Sequence, residues 1–144
     1  MATVAVAMHV LTGPEKMTSR HILVVDDETD IRNLVHEILE DEGYSVTTAD
    51  GGEAARKACR VRRPDLILLD IRMQDVDGIT LLREWSESGE LPCPVVMMSG
   101  HGTVETAVEA TRLGAYDFIE KPISLAKLLL TVERAFESDR LKRE

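Results

Sequence analysis

The chain is short of basic residues. Its 144 residues hold 17 Lys and Arg against 26 Asp and Glu, a formal net charge of −9 at pH 7. A protein of that sign does not grip nucleic acid by itself, because neutralising phosphates needs clustered Lys and Arg. There are only two cysteines, Cys59 and Cys93. Their spacing excludes a CxxC metal or redox motif and fits buried or half-buried free thiols in a reducing cytoplasm. No apolar run approaches the roughly 20 residues that span a bilayer. Internal repeats and low-complexity segments are also missing. The length suits one domain with a sizeable core.

What is present is a set of short apolar runs that stop on polar residues. The central one is Leu66-Ile67-Leu68-Leu69-Asp70, introduced by Pro64 and Asp65 and followed by a polar loop through Asp77-Gly78. A continuous apolar run of this length between turn signals predicts a fully buried strand of a parallel sheet. His21-Ile22-Leu23-Val24-Val25 stops on Asp26-Asp27-Glu28 in the same way. Tyr44–Ala49, Val95-Val96-Met97-Met98 before Ser99, and Tyr116–Glu120 before Lys121-Pro122 complete a set of five strands.

Between the strands the apolar period changes to that of a helix. Ile31, Leu34, Val35, Ile38 and Leu39 share one face of a helix over 29–42, which Gly43 ends. Further helices are predicted over 53–62, over 79–88 and after Thr103, an N-cap candidate with Thr106 at the third position. Ser124 caps a last helix carrying Leu125, Leu128, Leu129, Val132 and Phe136. Strand–helix alternation implies right-handed crossovers and a parallel α/β sheet with helices on both faces.

In such sheets ligands bind beyond the carboxyl ends of the strands. That edge collects Asp26 and Asp27, then Asp70, Ser99 and Lys121. Three carboxylates packed together repel unless a cation neutralises them. Oxygen donors without His or Cys suit a hard ion such as Mg²⁺, which takes one or two carboxylates and a phosphate oxygen. A carboxylate beside such a metal can attack phosphorus, with a lysine and a hydroxyl to hold the other oxygens. The edge therefore reads as a phosphoryl-accepting aspartate site. Asp27 or Glu28 can serve the dipole of the first helix; Glu28 reads as a first-turn helix residue, and His101 as a loop residue.

Residues 21–137 resemble a receiver domain of a two-component response regulator. The resemblance rests on Val24-Val25-Asp26-Asp27-Glu28, on Leu68-Leu69-Asp70-Ile71-Arg72-Met73 with Asp77-Gly78, on Met98-Ser99-Gly100, and on Gly114–Pro122. It implies a flavodoxin-like (βα)5 fold with strand order 2-1-3-4-5, an order for which a receiver is the standard example. It implies that Asp70 is the phospho-acceptor and that Asp26, Asp27 and Asp70 hold Mg²⁺ with the backbone carbonyl of Arg72. Asp27 is favoured over Asp26 as the direct ligand of that pair. It makes Ser99 the switch hydroxyl, Lys121 the phosphoryl contact, Phe118 the switch aromatic, and the peptide bond before Pro122 cis. Gln74 stands where the family usually has Pro, which changes loop stiffness rather than metal binding.

A finer resemblance, in Met98–Val108 and in 137–144, is to NtrC- and NtrX-type transcriptional regulators. It implies a sensor histidine kinase as phosphoryl donor and downstream ATPase and DNA-binding domains. It also implies self-association through the fourth helix, fifth strand and fifth helix, or through the last helix, with Leu113, Tyr116, Ile119 and Leu128 as candidate contacts. The protein is expected to be cytoplasmic and not bound to membrane. Residues 1–20 read as a disordered leader or an expression or start-site artefact, and 138–144 as the start of a linker.

Two other classes compete. A Mg²⁺-dependent phosphatase with an aspartyl nucleophile would carry Asp-x-Asp after its first strand and a cap insertion; this chain has adjacent Asp26-Asp27 and no such insertion. A receiver that binds partners without taking phosphate is the third reading, with Gln74 its one hint.

Overall fold

In the computed structural model, residues 19–89, 91–100 and 102–143 are described. The expected leader, apart from Ser19 and Arg20, and His101 lie outside them. The strands are β1 (His21–Val25), β2 (Ser45–Ala49), β3 (Leu66–Asp70), β4 (Val95–Ser99) and β5 (Asp117–Glu120). The helices are α1 (Thr29–Asp41), α2 (Gly52–Val61), α3 (Gly78–Glu87), α4 (Val104–Arg112) and α5 (Leu125–Arg143). The strands form one parallel sheet in the order β2-β1-β3-β4-β5.

Every residue of β1, β3 and β4 is buried, because helices cover both faces of the sheet. Alternate residues go to opposite sides. Ile22, Val24, Leu66, Leu68, Val96, Met98 and Ile119 pack with Val35 and Leu39 of α1 and with Leu128, Val132 and Phe136 of α5. Leu23, Val25, Ile67, Leu69, Val95 and Met97 pack with Ala55 of α2, Leu81 and Leu82 of α3 and Ala110 of α4. Each fully buried large aliphatic side chain contributes about 1.5–3 kcal/mol relative to exposure. These two layers fix the direction of the sheet, and so the edge on which its polar ends gather.

Local chemistry sets the ends of the helices. Asp77 accepts from the Thr80 amide and Thr103 from the Thr106 amide, each capping the helix that follows. The Ser124 hydroxyl accepts from the Lys127 amide. Gly43 and Gly114 follow α1 and α4 with φ of 96° and 106°, left-handed values that glycine adopts without a Cβ clash. Ser19 and Arg20 belong to the fold: Arg20 accepts from the Ser45 amide at 2.9 Å, and its guanidinium lies 4.5 Å from the Phe136 ring centroid. At the other end α5 continues through 138 to Arg143. Among the described residues, no helix is long and apolar enough to cross a membrane.

Two expected surface contacts are core residues instead. Ile119 and Leu128 are buried, Ile119 by the alternation of β5 and Leu128 by facing the sheet from α5. The apolar groups that α4 and α5 do expose include Val104, Val108, Leu125, Leu130 and Leu141.

Candidate functional site at the carboxyl edge of the sheet

Parallel register brings the polar strand ends together. Asp70, last in β3, pairs with Met98, and Ser99, last in β4, pairs with Glu120. The Lys121 amide donates to the Ser99 carbonyl at 2.9 Å, which places the lysine one step beyond β5. The Lys121–Pro122 peptide bond is cis.

Asp26, Asp27 and Asp70 each offer a carboxylate oxygen within 4.8 Å of the others. Asp26 and Asp70 are buried, and Asp27 is half-buried. Lys121 Nζ lies 2.8 Å from Asp26 Oδ2, 2.9 Å from Glu28 Oε1 and 3.3 Å from Asp70 Oδ1. One ammonium thus faces three carboxylates. Burial works against its charge, but the Asp26 and Glu28 partners outweigh burial and hold its pKa above the ordinary lysine value. Asp70 moves the other way for a carboxyl. Desolvation, and then the Asp26 charge, push its pKa from 3.8 up to about 6, against the pull of Lys121.

The two oxygens of Asp26 have different surroundings. Oδ1 accepts from the Glu28 amide at 2.9 Å and shapes the turn into α1. Oδ2 is buried and has no hydrogen-bond donor of good geometry; the nearby Nζ is a charge contact off that line. A buried acceptor whose close partner is one ammonium shared among three carboxylates, inside a cluster of hard oxygen donors, fits a divalent cation. Above it opens a cleft of about 640 Å³ lined by Asp27, Asp70, Arg72, Gln74, Ser99 and Lys121, among others.

Phe118 is half-buried on the α2–α4 side of the sheet. Its ring closes against the loop between β4 and α4: a Cβ on Gly102 would lie 2.4 Å from Phe118 Cζ. The cysteines stay apart from this edge, and burial raises the pKa of both thiols, away from the thiolate form.

Two residues at or near the edge were not read from the sequence as part of the site. Glu28 is the N-cap residue of α1 but makes no side-chain cap; its carboxylate turns to Lys121. The reading of Glu28 as a first-turn helix residue is therefore corrected: it stands one step before the helix and pairs with Lys121, and its place as the third acid in Asp26-Asp27-Glu28 was the available signal. Asp75, in the loop between β3 and α3, accepts from the Gly52 and Glu53 amides at the start of α2. No local pattern announces a contact across more than twenty residues.

The model of the response regulator receiver domain matches residues 22–133. The chain belongs to the response regulator receiver domain family. Receiver domains of this family are signalling switches. A relative named nitrogen assimilation regulatory protein NtrX, from Azorhizobium caulinodans, is 53% identical over 129 residues, covering 85% of this chain and 27% of the relative. The crystal structure of NtrX from Brucella abortus superposes with a TM-score of 0.80 at 52% identity, over 87% of this receiver and 28% of that chain. A solution structure titled as the beryllofluoride-activated NtrC4 receiver domain dimer matches with a TM-score of 0.75 at 41% identity, over 82% of this receiver and 97% of that chain. The receiver spans about a quarter of the length of the NtrX relative. It is thus a receiver domain of the NtrX type.

Proposed function

We propose that Asp70 accepts a phosphoryl group from a sensor histidine kinase and that the acquired charge repacks the surface made by α4, β5 and α5. The observation that carries this reading is the meeting of Asp26, Asp27 and Asp70 with one ammonium, with a buried oxygen of Asp26 that has that ammonium as its close partner.

Asp70 stands last in its strand at the floor of the cleft, with its main chain fixed by the sheet. In the transfer, a carboxylate oxygen of Asp70 bonds to phosphorus as the phosphorus–nitrogen bond of the donor phosphohistidine breaks. Asp26, Asp27 and Asp70, with the Arg72 carbonyl, would hold Mg²⁺, which when bound draws charge from the phosphoryl oxygens. Lys121 supplies a positive charge 3.3 Å from Asp70 Oδ1 and meets the phosphoryl group from the β5 side.

The phosphoryl group adds a charge of about −1.5 to −2. Ser99, buried at the end of β4, moves its hydroxyl toward that charge and draws the β4–α4 loop with it. Phe118 holds the other side of that loop at Gly102, so its ring has to shift when the loop does. Two packings of one surface, biased by one added charge, make a bistable element. Its output would be self-association and control of downstream ATPase and DNA-binding domains in a cytoplasmic transcriptional regulator.

Beryllofluoride, which mimics the phosphoryl group, tests this without a kinase. With Mg²⁺ present, fluorine NMR should show a bound species on the wild type and none on Asp70→Asn. The monomer–dimer equilibrium should shift with the bound species. Absence of binding by the wild type would overturn the acceptor reading; binding with an unchanged equilibrium would overturn the switch.

A further inference from the structure

The loop that leaves Asp70 is pinned at both ends by the main chain. The Ile71 amide donates to Met98 O at 3.0 Å, and the Gly78 amide donates to Ile71 O at 2.7 Å. Between these pins lie Arg72, which lines the cleft and whose carbonyl has the metal role proposed above, and the exposed Gln74. Gln74 leaves its own φ free, where a proline would fix it. The middle of the loop therefore needs another restraint.

Asp75 supplies one. Its Oδ1 accepts from the Gly52 amide at 3.0 Å and from the Val76 amide at 2.7 Å, and its Oδ2 accepts from the Glu53 amide at 3.1 Å. These bonds, those from Gly52 and Glu53 foremost, hold its carboxyl below the usual aspartate range. The fit is close on the α2 side. A Cβ on Gly51 would lie 2.8 Å from Asp75 Oδ1, and one on Gly52 would lie 3.0 Å from Val76 Cβ. Gly51 is extended, with φ of −179°, so its lack of a side chain serves this approach rather than an unusual backbone angle.

We propose that Asp75 is a positioning residue for the divalent cation: by tying the β3–α3 loop to the first turn of α2, it holds the Arg72 carbonyl at the cleft beside Asp70. This inference rests on the metal reading above. Partners that orient metal ligands without touching the metal typically change its affinity by 10–100-fold when lost. Asp75 acts through a main-chain segment, so the lower end of that range applies.

Isothermal titration with Mg²⁺ and phosphorylation by acetyl phosphate at varied Mg²⁺ test it together. Asp75→Ala cuts the tie from the loop side, and Gly51→Ala cuts it from the α2 side without changing the loop. Each should weaken Mg²⁺ binding by roughly tenfold and raise the half-saturating Mg²⁺ concentration equally. The phosphorylation rate at saturating Mg²⁺ should stay unchanged. Asp75→Asn keeps one acceptor oxygen and should fall between the wild type and Asp75→Ala. Glu84→Gln is the control: it breaks the Arg56–Glu84 ion pair, a separate tie between α2 and α3, and should leave Mg²⁺ affinity as it was. Folded Asp75→Ala and Gly51→Ala variants that bind Mg²⁺ as the wild type does would overturn the proposal alone. An equal loss of affinity in Glu84→Gln would also overturn it, by reducing the effect to general loosening. A wild type that binds no Mg²⁺ would overturn the metal reading and this proposal with it.

Discussion

Asp70 is 3% exposed and sits beside a second buried carboxylate, so its charge is costly in the metal-free fold. Asp70→Asn removes that charge at nearly constant shape and should stabilise the metal-free protein. The size follows from the titration. A pKa of about 6 in place of 3.8, at about 1.4 kcal/mol for each tenfold change, corresponds to at most about 3 kcal/mol. The pull of the Lys121 ammonium at 3.3 Å is already contained in that value, so the expected gain is up to about 3 kcal/mol. The sign with pH is fixed. The native state binds the Asp70 proton more tightly than the unfolded chain does, so this group's contribution to stability is greatest below about pH 4. That contribution falls as pH rises to about 6, and is level above. Urea unfolding in EDTA should therefore show the variant ahead at pH 7.5, with the gap shrinking as pH is lowered through 6 toward 5. Mg²⁺ should close the gap from the other side, adding about 1.4 kcal/mol to the wild type at tenfold its dissociation constant. A variant no more stable than the wild type at pH 7.5 in EDTA would refute the reasoning, as would a gap that ignores both pH and Mg²⁺.

Other consequences follow from the same geometry. Lys121→Met strips the cation from buried Asp26 and should destabilise the metal-free fold by about 3–5 kcal/mol, a loss that Mg²⁺ partly restores in a thermal shift assay. In Gly78→Ala the new Cβ would lie 2.2 Å from the Asp70 carbonyl oxygen, a main-chain clash; urea unfolding should show a loss of at least about 1–3 kcal/mol, with weaker Mg²⁺ binding. Leu68→Ala, a fully buried site, should cost about 2–5 kcal/mol without changing which residue is phosphorylated. Phe118→Ala should leave phosphorylation intact and reduce the dimer shift that beryllofluoride produces, read by sedimentation.

The parts of the fold that could be read from the sequence are those where one local signal decides. Leu66–Leu69 could only be buried on both faces, and its stop at Asp70 put a carboxylate at the strand end. Thr103 caps as its side chain requires, and Gly43 and Gly114 end helices because their φ values suit no other residue well. Asp26, Asp27, Asp70, Ser99 and Lys121 were legible as a group because parallel strands bring their carboxyl ends to one edge. What escaped depends on contacts between distant residues. Ile119 and Leu128 read as surface candidates because helix and strand periods give a face without saying what covers it. Glu28 looked like a helix residue until the reach of Lys121 was known. Asp75 makes its bonds to α2, more than twenty residues earlier in the chain, and no local pattern announces them.

Intact mass after incubation with acetyl phosphate and Mg²⁺, beside an Asp70→Asn control, tests the central claim most directly. The account predicts one added phosphate on the wild type, none on the variant, and none on either protein in EDTA. An adduct of equal size on Asp70→Asn, or no adduct on a wild type that binds Mg²⁺ and beryllofluoride, would contradict it.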